Sequence, residues 1–534
     1  MQSFDAVVVG AGFGGIYQLY KLRQLGISVR LYEKAPEIGG AWYWSQYPNC
    51  ASDSPSELYR YSWDKEDLLT YPWPNHVVTQ EETLGYLKHV VKRHDLRKDM
   101  TFSAELKSAT FDASSNSWIL QFATGETVKT TYLVAATGAI HKANWLALPG
   151  REKFTGEQYH SGVWPESRDF KGKRVGIIGT GSSGAQLIVG LAKEAKHLLS
   201  FQRSAQYIVP NYRGAVAEEY RNKIVNNWDN VWKGVRNCVV GYNFTPITTP
   251  TFSVSPEERE RVFESAWNGK NGFAFLYATF SDVLTNEAAN QEICNFIKKK
   301  IGQIVEDPEK RRKLTPPPGS FYAKRPVCCA GYYETFNNDC VDIVDTPLLE
   351  VTEKGIKTND GTVHELDVII YATGYETDGS WADIAITGPT KTLEQHWAQG
   401  AVSYLGLSEA GFPNFFMIVG PQSPVTNMPP LVEAQSNLIA ALIAKAEKQN
   451  ALGGGKKILI TPTQQAEDEY MKECRKLGDE SIFKKERSFL YGDNTPSART
   501  KGRSVLWYFG GMNMYLGKID NEMNTDYSGF TFNS

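Results

Sequence analysis

Short apolar runs and longer mixed segments alternate along the first 200 or so residues. Phe4 to Val9, FDAVVV, has the length of one buried parallel strand. The segment after it, GIYQLYKLRQLG, places apolar side chains at Ile16, Leu19, Tyr20, Leu22 and Leu25, which predicts a helix. A second strand, SVRLYEK, follows. The same order of strand, helix and strand recurs in KRVGIIGTGSSGAQLI and HLLSFQRS. Two further strand-like runs, TTYLVAATGAI and DVIIYATGYETD, end on Ala136-Thr137-Gly138 and Ala372-Thr373-Gly374. This alternation predicts parallel sheets covered by helices. Between about 214 and 330 the rhythm turns helical, as in EEYRNKIVNNWDNVWKGV, until TPPPGS at 315–320 stops it. No apolar run reaches ~18 residues, so no membrane span is expected. The first residues enter a strand directly and lack a basic leader, so no signal peptide is expected.

The loops between strand and helix carry the chemistry. The first reads Gly10-Ala-Gly12-Phe-Gly14-Gly15, a G-x-G-x-x-G. Glu33 ends the next strand, 33 − 12 = 21 positions past the middle glycine. At that distance an acid accepts hydrogen bonds from a ribose hydroxyl, while the helix N-terminus takes the pyrophosphate. The second loop is Gly179-Thr180-Gly181-Ser182-Ser183-Gly184. Its following strand ends on Arg203, 203 − 181 = 22 positions on, and no acid stands there. An arginine in that place accommodates a 2′-phosphate, so this site is expected to take NADPH rather than NADH. The expected fold is therefore α/β, with two Rossmann-like dinucleotide-binding domains. Two redox cofactors that can exchange a hydride exclude a plain one-site dehydrogenase.

Composition narrows the field further. The net charge is −3 over 534 residues, with no basic block, so no nucleic-acid partner is expected. The seven cysteines are scattered without a C-x-x-C, which argues against a disulfide framework, a zinc site and a dithiol centre. A reducing, cytoplasmic setting fits that usage. No H-E-x-x-H or G-x-S-x-G occurs, and no metal is expected. Aromatic residues reach 12%, which suits an apolar ligand pocket.

The segment FTGEQYHSGVWP fits F-x-G-x-x-x-H-x-x-x-W-[PD] at every fixed position, through Phe154, Gly156, His160, Trp164 and Pro165. This is the fingerprint of the single-chain, FAD- and NADPH-dependent Baeyer–Villiger monooxygenases, and the chain resembles that family along almost its whole length. APEIGGAWYW, with Gly40, Trp42 and Trp44, is similar to the family's loop along FAD. YPNCASDSPSELYRYSW is similar to the loop beside the flavin and contains Asp53 and Tyr59. YAKRPVCC is similar to the K-R-P segment, with Lys324 on the NADP-phosphate lysine and Arg325 on the active-site arginine. GRSVLWYFGGMNMY is similar to a mobile loop whose tryptophan, here Trp507, reaches the bound NADP. The resemblance also implies that Met428 contacts FAD and that Gln186 belongs to the NADP site. It is weakest across 214–320.

The resemblance implies a split FAD domain, 1–142 and 385–534. It also implies an NADP domain, 143–213 and 331–384, which holds a mostly helical insertion, 214–330. It implies insertion of one atom of O2 beside a ketone carbonyl, giving an ester or lactone through a flavin C4a-peroxide, with sulfoxidation as a side activity. In that reading Arg325 is the catalytic cation, positioned by Asp53. Gly156 is expected to supply an unusual backbone angle, while His160 and Trp164 anchor a conformational linker without acting on substrate. Three other readings stay open: a heteroatom oxygenase, a flavin reductase serving a partner, and an NADP-binding sensor. The ketone and the oligomeric state are not legible in the sequence.

Overall fold

The computed structural model describes residues 1–165, 168–245, 247–269, 271–319, 321, 325–376, 384–452, 457–485, 487–493 and 503–533. Lys324 lies outside them.

Two open sheets organise the chain. In the first, Gln2–Val9 sits between Thr127–Ala135 and Val29–Tyr32, parallel to both, with Val7 opposite Leu133 and Arg30. The edge beyond Thr127–Ala135 is an antiparallel hairpin, Leu106–Asp112 with Ser117–Phe122, extended by Ala385–Thr387. Phe415–Met417 also pairs with Thr127–Ala135. The inner strand Ala6–Val9 is buried, as a strand covered by helices on both faces must be. One face carries the helix Phe13–Gln24, against which the long helix Met428–Leu452 packs.

The second sheet is parallel throughout, in the order Val341–Val344, His197–Phe201, Arg174–Ile178, Val368–Tyr371, Glu157–His160. The helix Ser182–Leu191 follows its central strand. An antiparallel sheet, 348–365, attaches to this unit.

Residues 218–314 form six α-helices among the described residues, from Glu218–Asn226 to Pro308–Leu314. The last stops at the threonine before Pro316, where the proline run removes amide donors. Two short strands, Ile208–Val209 and Val327–Cys328, pair in parallel on either side of this helical segment in the sequence. That pairing holds Arg325 beside the first sheet's loops. No helix among the described residues is long and apolar enough to cross a membrane.

Candidate active site

The two glycine turns are built alike. Gly10 has φ +108°, and a Cβ there would lie 2.5 Å from the carbonyl oxygen of Ala136. Gly179 has φ +109°, and a Cβ there would lie 2.5 Å from the carbonyl oxygen of Ala372. Both therefore need glycine twice over, for the left-handed angle and for the close approach of the Ala-Thr-Gly strand end. Gly15 and Gly184 do not face the ligand space. A Cβ at Gly15 would come within 1.7 Å of the Gly10 carbonyl oxygen, and one at Gly184 within 2.0 Å of that of Gly179. They let the helix start against its own strand, a packing role.

Both turns open into one cavity of about 1850 Å³. An ordinary ligand pocket holds ~300–1,000 Å³, so this space suits two large cofactors. Gly10, Gly12, Gly14, Glu33, Gly40, Trp42, Trp44, Asp53, Tyr59 and Met428 line it from the first unit's side. Gly179, Thr180, Gly181, Ser182, Ser183, Gln186, Arg203, Arg325 and Trp507 complete the wall. Four buried polar atoms of that wall, Thr137 Oγ1, Thr426 Oγ1, Asn427 Oδ1 and Trp507 Nε1, have no hydrogen-bond partner among the described residues. Buried polar groups are normally satisfied. Their orphaning here fits bound cofactors with many acceptors and hydroxyls. A Cβ at Gly181 would meet nothing within 4 Å, so the backbone there leaves the close approach a pyrophosphate needs.

Glu33 is buried, and its two oxygens accept from the amides of Ala11 (2.6 Å) and Ala35 (2.8 Å). Burial raises its pKa, an effect these amides oppose. Its carboxylate is thus locked into the glycine turn and faces the cavity with its remaining lone pairs. Arg203 is exposed on the opposite wall. Arg325 Nη2 donates to Asp53 Oδ2 at 2.5 Å, across 272 positions of sequence. Beside them, Tyr59 accepts from Trp42 Nε1 at 3.2 Å, and Ser54 and Tyr242 share a hydroxyl contact at 2.9 Å. Val240, Tyr242, Phe273, Tyr277, Val425 and Val432 add apolar surface to the cavity.

The linker reads differently from expectation at Gly156. Its φ is not in the left-handed region. Glycine is required there because a Cβ would lie 2.4 Å from the Asp367 carbonyl oxygen and 2.6 Å from the Phe154 ring. His160 is fully buried at the end of its strand. Its Nδ1 accepts from the Gly162 amide at 3.0 Å, which leaves the proton on Nε2, 3.4 Å from Thr373 Oγ1. Thr373 in turn donates to the Asn144 carbonyl. Trp164 is buried, and its amide donates to the Trp44 carbonyl at 3.1 Å, joining the linker to the first unit. Tyr47 OH donates to Gln186 Oε1 at 2.9 Å and Gln186 Nε2 to the Ala51 carbonyl at 3.0 Å, a second tie between the units. Trp507 is buried on the cavity wall, in a two-residue strand paired with Ser423–Pro424.

Thr137, Thr426 and Asn427 were not singled out by sequence reasoning. Thr137 stands inside the Ala-Thr-Gly motif, the one signal that could have found it. Nothing local distinguishes the other two.

Burial pushes the pKa of His160 down to about 4. The folded value lies below the ordinary 6.5, so its contribution to stability is complete above pH 6.5 and is lost as the pH falls toward 4. The loss reaches up to about 3 kcal/mol. His160→Asn is expected to lose less of its thermal midpoint between pH 7 and pH 5 than the parent does. Equal losses would show that another group controls that range.

The fold and this cavity define a two-dinucleotide flavoprotein. Residues 5–225 match the family described as Flavin-binding monooxygenase-like. The chain is 43% identical to phenazine N-monooxygenase of Lysobacter antibioticus, over 99% of this chain and 97% of that protein. It is 41% identical to a Baeyer–Villiger monooxygenase of Pseudooceanicola batsensis, over 97% of this chain and 94% of that one. The crystal structure of cyclohexanone monooxygenase from Rhodococcus sp. Phi1 bound to NADP+ superposes with a TM-score of 0.95 at 41% identity, covering 100% and 99% of the two chains. The chain belongs to the FAD- and NADPH-dependent Baeyer–Villiger monooxygenase family. It is a flavin-dependent monooxygenase that uses FAD and NADPH.

Proposed function

We propose that Arg325, held by Asp53, is the cation that stabilises negative charge developing at the reacting oxygen and carbonyl, and that a ketone lies against the apolar wall beside it. The observation that carries this is the Arg325–Asp53 contact in a cavity that both glycine turns reach. Bound FAD, reduced by NADPH, supplies the activated oxygen. Gly10, Gly12, Gly14, Glu33, Gly40, Trp42 and Tyr59 would hold FAD. Gly179 to Ser183 and Arg203 would hold NADPH, with the phosphate end at Arg203.

The protein's own part is electrostatic and steric. A guanidinium keeps its charge at working pH and presents fixed donors. Asp53 is the less exposed partner, with 17% of its side chain accessible against 50% for Arg325. It therefore helps set where the guanidinium points. Donors preorganised toward developing charge lower a barrier more than mobile water does. Tyr242, Phe273 and Val425 give the cavity that Arg325 lines an apolar wall for the ketone. We assign residues 1–142 and 385–534 to the FAD unit, and 143–213 and 331–384 to the NADP unit. In this division Phe154–Trp164 couples the two units through His160 and the Trp164–Trp44 contact.

The test uses the FAD-loaded enzyme, NADPH and 18O2 with cyclic, linear and bulky ketones. Esters or lactones carrying one labelled oxygen are expected. A phenazine belongs in the same panel, because a relative 43% identical is named for that nitrogen oxidation. Labelled N-oxide without any labelled ester would overturn the ketone assignment. So would hydrogen peroxide as the sole product throughout.

A further inference from the structure

A second group of reactive side chains lies outside the cofactor cavity. His396 ends the short helix Leu393–His396, Glu409 sits in the turn before Phe412, and Glu467 lies in the first turn of the helix Gln464–Glu480. None of the three lines the cavity. Their side chains are 6%, 0% and 2% exposed. His396 Nε2 is 3.2 Å from Glu409 Oε2 and 3.6 Å from Glu467 Oε1. Neither approach is a proper hydrogen bond: His396 Nε2 and both Glu409 oxygens have no partner of acceptable geometry among the described residues. The imidazole therefore aims between the two carboxylates rather than at either.

These spacings suit a shared ion. Zinc bonds nitrogen and oxygen ligands at roughly 2.0–2.2 Å in a tetrahedron, which sets its ligand atoms roughly 3.3 Å apart. One ligand atom from each residue falls within 4.8 Å of the other two. Glu467 is already oriented: its Oε2 accepts from the Ala410 amide at 2.7 Å and its Oε1 from Gln464 Nε2 at 3.2 Å. Such outer contacts characterise metal ligands. Charge agrees as well. With a dication bound, two carboxylates and a neutral imidazole would carry no net charge; without one, His396 is the cation that pairs with them. One imidazole with two carboxylates is a donor set for zinc or manganese. Their sequence separation explains why no ligand motif announces them.

We propose that His396, Glu409 and Glu467 bind one divalent zinc or manganese ion in a structural site that pins the helix Gln464–Glu480 to the 393–412 segment. The FAD-loaded enzyme, purified without chelator and dialysed against metal-free buffer, is expected to carry close to one zinc or manganese per chain by elemental analysis. Glu409→Gln and His396→Gln should each lower that content at least tenfold, while the flavin absorbance and NADPH oxidation of both variants show that they fold. After EDTA treatment, zinc chloride or manganese chloride should raise the parent's Tm by a few degrees, on the order of 2–5 °C, and leave both variants unmoved. Metal below about a tenth of an equivalent in the parent, with no Tm response to either salt, overturns the proposal. Metal retained in full by both variants overturns it too, since the ion would then sit elsewhere.

Discussion

Arg325→Ala is expected to lower ester formation by about 10²–10³-fold while FAD stays bound and NADPH still reduces it. Loss of one preorganised donor to developing charge costs about 2.7–4 kcal/mol of barrier in acyl-transfer sites, and the same order applies here. The selectivity for the oxygenation step follows from position. Arg325 lines the cavity two residues before the strand Val327–Cys328, which pairs with Ile208–Val209. Its side chain then reaches across to Asp53. It is not part of either glycine turn, so the binding of both dinucleotides survives its loss. The two electrons taken from NADPH then reduce O2 to hydrogen peroxide instead of forming ester and water. Arg325→Lys should recover only part of the activity, because an ammonium keeps the charge without the planar fork. Asp53→Asn should resemble a weaker Arg325→Ala, with the guanidinium present but no longer directed. The measurement separates the rate of flavin reduction, followed by absorbance, from ester yield per NADPH. Parent-like ester yield in Arg325→Ala would remove this residue from the chemistry, whatever happens to reduction.

Arg203→Ala is expected to reduce the preference for NADPH over NADH by about 10- to 150-fold. The two cofactors differ by one 2′-phosphate. A charge-assisted hydrogen bond to such a group contributes about 1.5–3 kcal/mol, and each 1.4 kcal/mol is tenfold. Arg203 lies two residues past the strand His197–Phe201, where an acid would select the free hydroxyl instead. Its side chain is exposed on the cavity wall, so little besides the phosphate contact is lost on truncation. The change should therefore fall on kcat/KM for NADPH and leave NADH nearly as before. A parallel fall for both cofactors would mean a general defect in the NADP unit. An unchanged ratio would place the discrimination elsewhere.

Much of this architecture is legible in the chain itself, because it rests on relations between near neighbours. A strand, a glycine turn and a helix occupy fewer than 25 residues in each half. Gly10 and Gly179 are dictated by a backbone angle and a carbonyl that every such turn presents. Glu33 and Arg203 could be placed by counting, since turn, helix and following strand together span nearly the same length in both units. Only the tertiary structure could decide the rest. Gly156 is a glycine because the Asp367 carbonyl, far along the chain, arrives against it. His160 owes its depressed pKa to burial and its orientation to Gly162 and Thr373, not to its place in a fingerprint. Trp507 sits in a strand because Ser423–Pro424 offers it an edge. Asp53 meets Arg325, a pairing that the family resemblance implies but no local pattern records, and His396 meets Glu409 and Glu467, only once separate elements have packed. Local patterns encode geometry that the backbone repeats every few residues. A contact between distant segments depends on how whole layers stack, and no residue spacing records that.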